Sequence, residues 1–137
     1  MAVDYGFRRV GLAICDPSET FVSPVCQLTV ESSRPGQVLE ELGKLIQEHE
    51  VEQVVVGLPL NMDGTEGDQA KATREFAHKL SEFLGEEVDM QDERLSSSAA
   101  DELLQESGFS RQQKKQRRDM LAACDILRDY LDQRRTG

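Results

Sequence analysis

The stretch from Gln53 to Leu58 constrains the fold more than any other part of the chain. It reads Gln-Val-Val-Val-Gly-Leu, follows a charged turn and precedes Pro59. A β-branched run this uniform is typical of a strand that is buried on both faces, as in a parallel sheet. Apolar residues recur at helical spacing before it, in residues 38–46, and after it, in residues 65–84. The chain is therefore expected to be an α/β protein.

The remaining apolar patterns complete a mixed sheet. Short runs at residues 3–6 and 10–15 indicate a hairpin, and the run at 22–30, which contains Pro24, indicates an edge strand or a bulge. A fifth strand is predicted at residues 87–91. The predicted helices cover residues 38–46, 65–84, 98–108 and 119–131. This order predicts a mixed five-stranded sheet, with strands 1–3 antiparallel, then parallel βα units, and with helices packed on it.

Capping residues mark several of the predicted helix ends. Thr65 and Asp68 have the spacing of a capping box at the start of the second helix, and Gly85 is expected to end that helix. Ser98 and Asp101 are expected to cap the third helix in the same way. The fourth helix is expected to open at residue 119.

Length and composition limit the class of protein. The 137 residues fit one compact domain covering the whole chain, residues 1–137. No stretch approaches the ~18 apolar residues that span a bilayer, and Arg8 and Arg9 stand where a signal peptide needs an apolar region. An odd number of cysteines, three, argues against a secreted disulfide framework. We expect a cytoplasmic protein with no membrane partner.

The distribution of charge is more informative than its total. A net charge of −10 argues at first against a nucleic-acid partner, because phosphate binding usually requires a basic excess. Residues 1–110 carry a net charge of −14, however, whereas residues 111–137 carry +4. Five basic side chains fall within eight positions of a predicted loop: Arg111, Lys114, Lys115, Arg117 and Arg118. Because of this basic segment, the negative net charge does not exclude a nucleic-acid partner.

Asp4 has the most unusual placement of any side chain. It lies inside an apolar strand, where Asp is disfavoured and a buried lone carboxylate is costly. One interpretation is that Asp4 ends a short strand and caps the turn at Gly6. The other is that the sheet holds Asp4 for a cation or a phosphate-bearing ligand. The pattern from Asp4 to Gly11 also fits actin-like ATPases, but 137 residues are too few for their two domains.

Two further carboxylates are expected at the same end of the sheet. Glu93 follows the last predicted strand, at the edge where open α/β sheets bind ligands, and Asp119 opens the terminal helix. Each has an ordinary interpretation, Glu93 as a surface charge and Asp119 as a helix cap. Together with Asp4 they would repel one another unless a cation compensates. Oxygen ligands suit Mg²⁺ or Mn²⁺, and a pair of such ions supports phosphodiester hydrolysis.

Four segments, in order, resemble the YqgF (RuvX) family. They are Val3-Asp4-Tyr5-Gly6 leading through Arg8 to Ala13, then Val56 to Glu66, then Asp92-Glu93-Arg94-Leu95-Ser96, then Asp119 with Ala122-Ala123 and Ile126-Leu127. The motifs cover nearly the whole chain. Family members are bacterial proteins of RNase H-like fold that are described as Holliday-junction resolvases and as pre-16S rRNA nucleases.

The resemblance implies a single RNase H-like domain with a divalent-metal nuclease site. It places the family's catalytic and metal-binding carboxylates on Asp4, Glu93 and Asp119, and implies Mg²⁺ or Mn²⁺ as the cofactor, as two ions. It also implies a role in maturing the 5′ end of 16S rRNA, with four-way DNA junctions as an alternative substrate. A third hypothesis is a ribosome-assembly factor that binds RNA and cleaves nothing.

Several polar side chains are candidates for contacts with the phosphate backbone. Arg8 lies in the first hairpin, and Asn61 follows the central strand at the ligand-binding edge. The basic segment adds Lys114, Lys115, Arg117 and Arg118, although a solvated loop explains these residues equally well. No aromatic stacking platform is visible in the sequence, so base-specific recognition is not predicted. The expected partner is structured nucleic acid, bound by a monomer or a homodimer.

Overall fold

The computed structural model describes residues 1–31, 33–34, 36–94 and 110–136, and it describes side chains at these positions except 94, 111–120 and 136. The predicted helix at residues 98–108 lies outside the described residues, as does its proposed cap. The strands are β1 (Ala2–Tyr5), β2 (Arg9–Cys15), β3 (Val22–Thr29), β4 (Val55–Leu60) and β5 (Asp89–Arg94). The helices are α1 (Gln37–Glu48), α2 (Asp68–Leu84) and α3 (Arg111–Thr136).

The five strands form one mixed sheet in the order β3-β2-β1-β4-β5. The pairs β1–β2 and β2–β3 are antiparallel, whereas β1–β4 and β4–β5 are parallel. The predicted α/β class and mixed five-stranded sheet are confirmed. β3 lies at the edge and carries Pro24, and the register of the β2–β3 pair shifts between Leu12 and Ala13, as a bulge requires.

The sheet is covered on both faces, as the valine run of β4 predicts. On one face, side chains of α1 and α2 pack against the strands in a cluster that includes Val3, Leu12, Val56, Leu42 and Leu80. On the other face, α3 packs in a second cluster: Ala2, Ala13, Val55, Ala123, Cys124, Ile126, Leu127 and Leu131. Neighbouring residues of β4 therefore enter opposite clusters, because successive side chains of a strand point to opposite faces.

The two parallel strands extend further than predicted. β4 continues through Pro59 to Leu60, and β5 covers Asp89–Arg94 instead of residues 87–91. The register of β1 with β4 ends at Val3 and Val56, so Pro59 has only β5 beside it and its missing N–H interrupts no second ladder. As a result, Asp92 and Glu93 lie within β5, whereas the sequence placed them after the strand.

The start of α2 also differs from its prediction. The helix begins at Asp68 after Gly67, which provides no side-chain cap, so the capping box is wrong. The side chain of Thr65 instead bonds within the preceding loop, where its hydroxyl donates to Asp63 Oδ1 at 2.6 Å. The predicted end is confirmed, because Gly85 terminates the helix with a left-handed φ of 71°.

The basic segment at residues 111–118 is helical, and its prediction as a loop is wrong. α3 begins at Arg111 and continues without interruption to Thr136. Arg, Lys and Gln are strong helix formers, and the segment contains neither Gly nor Pro. Asp119 therefore lies two turns inside α3, and its predicted position as the opening residue of the helix is also wrong.

Candidate active site

The sheet places Asp4 and Glu93 on the face that α3 covers. Ala2 pairs with Val55, and both side chains lie in the α3 cluster, so Asp4, two residues after Ala2, faces the same side. Asp89 contacts Tyr130 of α3, so Glu93, four residues further along β5, also faces α3. Strand β4 separates β1 from β5, which puts the two backbones roughly 10 Å apart.

Helix α3 approaches the sheet closely where β4 contains Gly57. A Cβ atom at this position would lie 2.4 Å from Ile126 Cδ1 and 2.8 Å from Ile126 Cγ1. Gly57 is itself buried in the middle of the sheet. The absence of a side chain at Gly57 is therefore what allows Ile126 to pack directly against β4.

The direction of α3 follows from its contacts with β5. The hydroxyl of Tyr130 donates to Asp89 at the start of β5, and burial together with this contact raises the pKa of Tyr130 to about 12. Glu93, near the end of β5, contacts Asp129 and lies close to Asp125. α3 therefore runs antiparallel to β5. Its N-terminal half extends toward the edge of the sheet where the parallel strands have their C-terminal ends, which we call the carboxyl edge.

Asp119 belongs to this N-terminal half of α3. It lies six residues before Asp125, which is about 9 Å along a helix, and therefore toward the edge where β1 and β5 end. Residue 119 also precedes the buried Ala123 by four positions and Ile126 by seven, the spacing of one helix face. The backbone thus puts residue 119 at the same edge as Asp4 and Glu93, while its side chain is outside the described positions.

Glu93 lies in a cluster of carboxyl groups, which also contains Asp92, Asp125 and Asp129. Burial raises the pKa of Glu93 to about 8, and its hydrogen bond to Asp129 and the charges of Asp129, Asp125 and Asp92 add to the shift. Glu93 Oε1 is buried and has no hydrogen-bond partner among the described residues. At neutral pH this carboxyl group therefore retains its proton in the metal-free protein.

Asp125 and Asp129 were not predicted as part of the site. Burial raises the pKa of Asp125, although Arg128, whose guanidinium donates to Asp125 Oδ1 at 3.4 Å, opposes that shift. The two aspartates are four residues apart and so lie on one side of α3. That spacing is visible in the sequence, but it is equally typical of a solvated helix face, and only the packing of α3 on β5 brings it to Glu93.

The arrangement fits an oxygen-liganded divalent cation. Carboxylate oxygens are the ligands that Mg²⁺ and Mn²⁺ prefer, and a cation would replace the proton that Glu93 now holds. Among the described side chains, no three His, Cys, Asp or Glu residues are already arranged around a metal position. The side chain of Asp119 is not among those described.

The candidate phosphate contacts occupy different parts of this edge. Arg8 is exposed in the β1–β2 hairpin. Asn61 follows β4, and its side-chain amide donates to Thr65 Oγ1 at 3.0 Å, so it also shapes its own loop. Lys114, Lys115, Arg117 and Arg118 lie in the first turns of α3, before residue 119.

A mixed sheet in the order β3-β2-β1-β4-β5, with acidic residues at the carboxyl edge beneath a long C-terminal helix, defines an α/β protein of RNase H-like fold. A profile of the RuvX family, described as Holliday junction resolvase, matches residues 1–133. The chain belongs to the RuvX family, which confirms the resemblance seen in its motifs.

Relatives from several bacteria match almost the whole chain. A protein named "Putative pre-16S rRNA nuclease" from Chloroflexus aurantiacus is 41% identical over 137 residues, which is 100% of this chain and 88% of the relative. Proteins of the same name from Lactococcus lactis and Syntrophomonas wolfei are 39% and 42% identical over 132 residues, covering 96% of this chain and 92% of each relative. Within the described residues, no helix has the length and apolar character needed to cross a membrane.

Proposed function

We propose that the protein is a divalent-metal-dependent nuclease that hydrolyses phosphodiester bonds during 5′-end maturation of pre-16S rRNA. The observation that supports this most directly is the carboxyl cluster around Glu93, on the sheet face that also bears Asp4. The carboxyl groups of such a cluster repel one another when ionised, and a bound cation would offset that repulsion. The nuclease names of the relatives support the same reaction class and substrate.

Asp4, Glu93 and Asp119 are the residues that would hold Mg²⁺ or Mn²⁺, as one ion or two. Such ions supply charge that neutralises the scissile phosphate, and they lower the pKa of water. Asp4 is positioned by β1, whose end is fixed where Gln69 Nε2 donates to the carbonyl of Tyr5 at 2.8 Å. Glu93 is positioned by β5 and by its contact with Asp129 of α3.

The basic first turns of α3 would hold the nucleic-acid backbone beside these carboxylates. Lys114, Lys115, Arg117 and Arg118 precede residue 119 in the same helix, so a phosphate bound there lies near the carboxyl edge. Arg8 would contact the backbone from the other side, in the hairpin that follows Asp4. Contacts of this kind orient a substrate without selecting its sequence.

Replacing Asp4 by Asn tests the mechanism. We expect Asp4→Asn to lower Mn²⁺-dependent cleavage of precursor 16S rRNA by more than about 100-fold, since losing even an outer partner of a metal ligand costs roughly 10–100-fold. Asp132→Asn, an exposed aspartate near the far end of α3, is the matched control and should cleave normally. Undiminished cleavage by a folded Asp4→Asn protein would contradict the proposal.

Four-way DNA junctions are the second candidate substrate, favoured by the description of the family profile. The same proteins are incubated with a synthetic junction and with the rRNA precursor, with and without Mn²⁺. Paired, symmetric cuts by a dimer bound to the junction would favour resolution. A protein that stays monomeric on the junction and cuts only the precursor would favour rRNA maturation. Binding of the precursor without any cleavage would instead favour a non-catalytic assembly factor.

A further inference from the structure

The hairpin between β1 and β2 presents an aromatic ring beside the proposed site. Phe7 is 61% exposed and Arg8 is exposed next to it. A single exposed apolar side chain is common on protein surfaces, so exposure alone points to no ligand. What distinguishes Phe7 is its position, three residues after Asp4 and therefore within about 10 Å along the chain.

The backbone of this hairpin is fixed in place. The amide of Gly6 donates to the carbonyl of Arg9 at 2.9 Å, and the amide of Val30 donates to the carbonyl of Arg8 at 2.8 Å. A Cβ atom on Gly6 would lie 2.8 Å from the oxygen of Arg9, so only glycine permits so tight a turn. Phe7 and Arg8 thus form the tip of a turn anchored to β2 and β3, and little conformational freedom is lost when a ligand binds there.

Charge supports nucleic acid as the ligand at this tip. The chain carries a net charge of −10, yet the two residues at this tip are an exposed aromatic ring, Phe7, and an exposed arginine, Arg8. Aromatic rings stack on bases irrespective of their identity, while arginine contacts the adjacent phosphates. A paired base is already stacked within its helix, so only an unpaired base can use the ring.

We propose that Phe7 is a stacking residue for an unpaired nucleobase near the scissile bond, so that the enzyme selects single-stranded segments adjoining a duplex. This inference rests on the proposed nuclease function and deepens it by naming the substrate feature that the site selects. Phe7 takes no part in bond cleavage, and its contribution is to binding and position.

Phe21 provides a matched control within the chain. It is 71% exposed and precedes β3, next to Val22, which pairs with Cys15 at the end of β2. β2 runs antiparallel to β1, so Phe21 lies at the opposite edge of the sheet from Phe7. The variants Phe7→Ala, Phe7→Tyr and Phe21→Ala therefore separate loss of the ring at the site from loss of any exposed ring.

The experiment measures binding and stacking separately from cleavage. Full-length variants are titrated, with Ca²⁺ in place of the cleaving metal, against a hairpin with a single-stranded 5′ extension. One 2-aminopurine, whose fluorescence falls on stacking, is placed at successive extension positions, and a blunt duplex serves as the reference. The series is made in RNA and in DNA.

Phe7→Ala is expected to abolish the quenching at one position and to weaken extension binding on the order of tenfold. The wild type, Phe7→Tyr and Phe21→Ala should quench alike, and all proteins should bind the blunt duplex equally.

Each result decides between the proposals. A larger Phe7→Ala loss on RNA assigns the unpaired base to rRNA, and a larger loss on DNA assigns it to branched DNA. Wild-type quenching by Phe7→Ala, an equal loss on the blunt duplex, or no binding by the wild type would overturn stacking. If quenching depends on Phe7 but Mn²⁺ supports no cleavage, stacking stands and the nuclease proposal fails. If cleavage occurs and Phe7→Ala behaves as the wild type, the nuclease proposal stands and stacking by Phe7 is excluded.

Discussion

Folding changes the protonation of Glu93 across the neutral pH range. Its pKa is raised to about 8, so between about pH 4.5 and pH 8 the folded protein holds a proton that the unfolded chain has released. Stability rises with pH only where the unfolded state binds more protons, and here it binds fewer. The contribution of Glu93 to the free energy of unfolding is therefore largest at low pH and declines as pH increases through this window.

Thermal unfolding from pH 5 to pH 8 measures this decline. We expect the metal-free wild type to lose more stability across this range than Glu93→Gln, which cannot ionise, while Glu87→Gln, an exposed carboxyl near the start of β5, follows the wild type. The charges of Asp92, Asp125 and Asp129 act on Glu93, and all three residues remain in the three proteins. Mg²⁺ or Mn²⁺ at pH 8 should restore stability to the wild type and not to Glu93→Gln. Parallel pH profiles for Glu93→Gln and the wild type would contradict the assignment.

The contact between Gly57 of β4 and Ile126 of α3 leads to a prediction about how secondary-structure elements pack. Gly57→Ala introduces a Cβ 2.4 Å from Ile126 Cδ1, and overpacking of this kind costs about 1–3 kcal/mol. Ile126→Val removes Cδ1 and by itself costs about 0.5–1.5 kcal/mol. Urea denaturation of the double variant should show a loss smaller than the sum of the two single losses, because the shortened side chain removes the closer of the two contacts with the new methyl. Strict additivity would show that the two residues do not share this contact.

A second prediction about an element concerns the basic first turns of α3 and the salt dependence of RNA binding. Each phosphate contact adds about 0.7–0.9 to the slope of the logarithm of the binding constant against the logarithm of salt concentration. Lys114→Gln with Lys115→Gln should therefore lower that slope for precursor RNA by up to about 2. Arg134→Gln with Arg135→Gln removes the same charge from the opposite end of α3, where both arginines contact Glu19, and should leave the slope unchanged. Equal slopes for both double variants would remove the phosphate-binding role of residues 114 and 115.

The secondary-structure elements differ in how well the sequence predicts them. The apolar runs predict all five strands, because burial on one or both faces leaves a local pattern in each strand. Charge runs are typical of solvated turns and so predict a loop for the basic segment, whereas the helix propensity of its Arg, Lys and Gln residues indicates α3. Asp125 and Asp129 join Glu93 only through the antiparallel packing of α3 on β5. A contact between residues about thirty positions apart has no local signature, so the sequence could not indicate it.

At the scale of the whole molecule, the charges are arranged along α3. The helix has basic residues near both ends, but Arg134 and Arg135 are engaged with Glu19 beside the β2–β3 turn. The N-terminal basic residues instead lie at the carboxyl edge, with the aspartates of the helix between the two ends. The protein is therefore acidic overall, and the basic N-terminal turns of α3 lie about 10–20 Å along the helix from Asp125 of the carboxyl cluster. Such an arrangement repels a polyanion until a cation neutralises the cluster.

This arrangement predicts that divalent cations strengthen RNA binding beyond their effect on ionic strength. Affinity for precursor RNA is measured in KCl and in CaCl₂ mixtures of matched ionic strength. The wild type should bind more tightly with the divalent ion, because the cation both offsets the net charge of −10 and joins the carboxylates to phosphate. Asp4→Asn should lose much of that gain, whereas Asp132→Asn should keep it. If the gain is the same in all three proteins, the cation acts on the RNA alone, and the carboxyl edge has no part in holding the substrate.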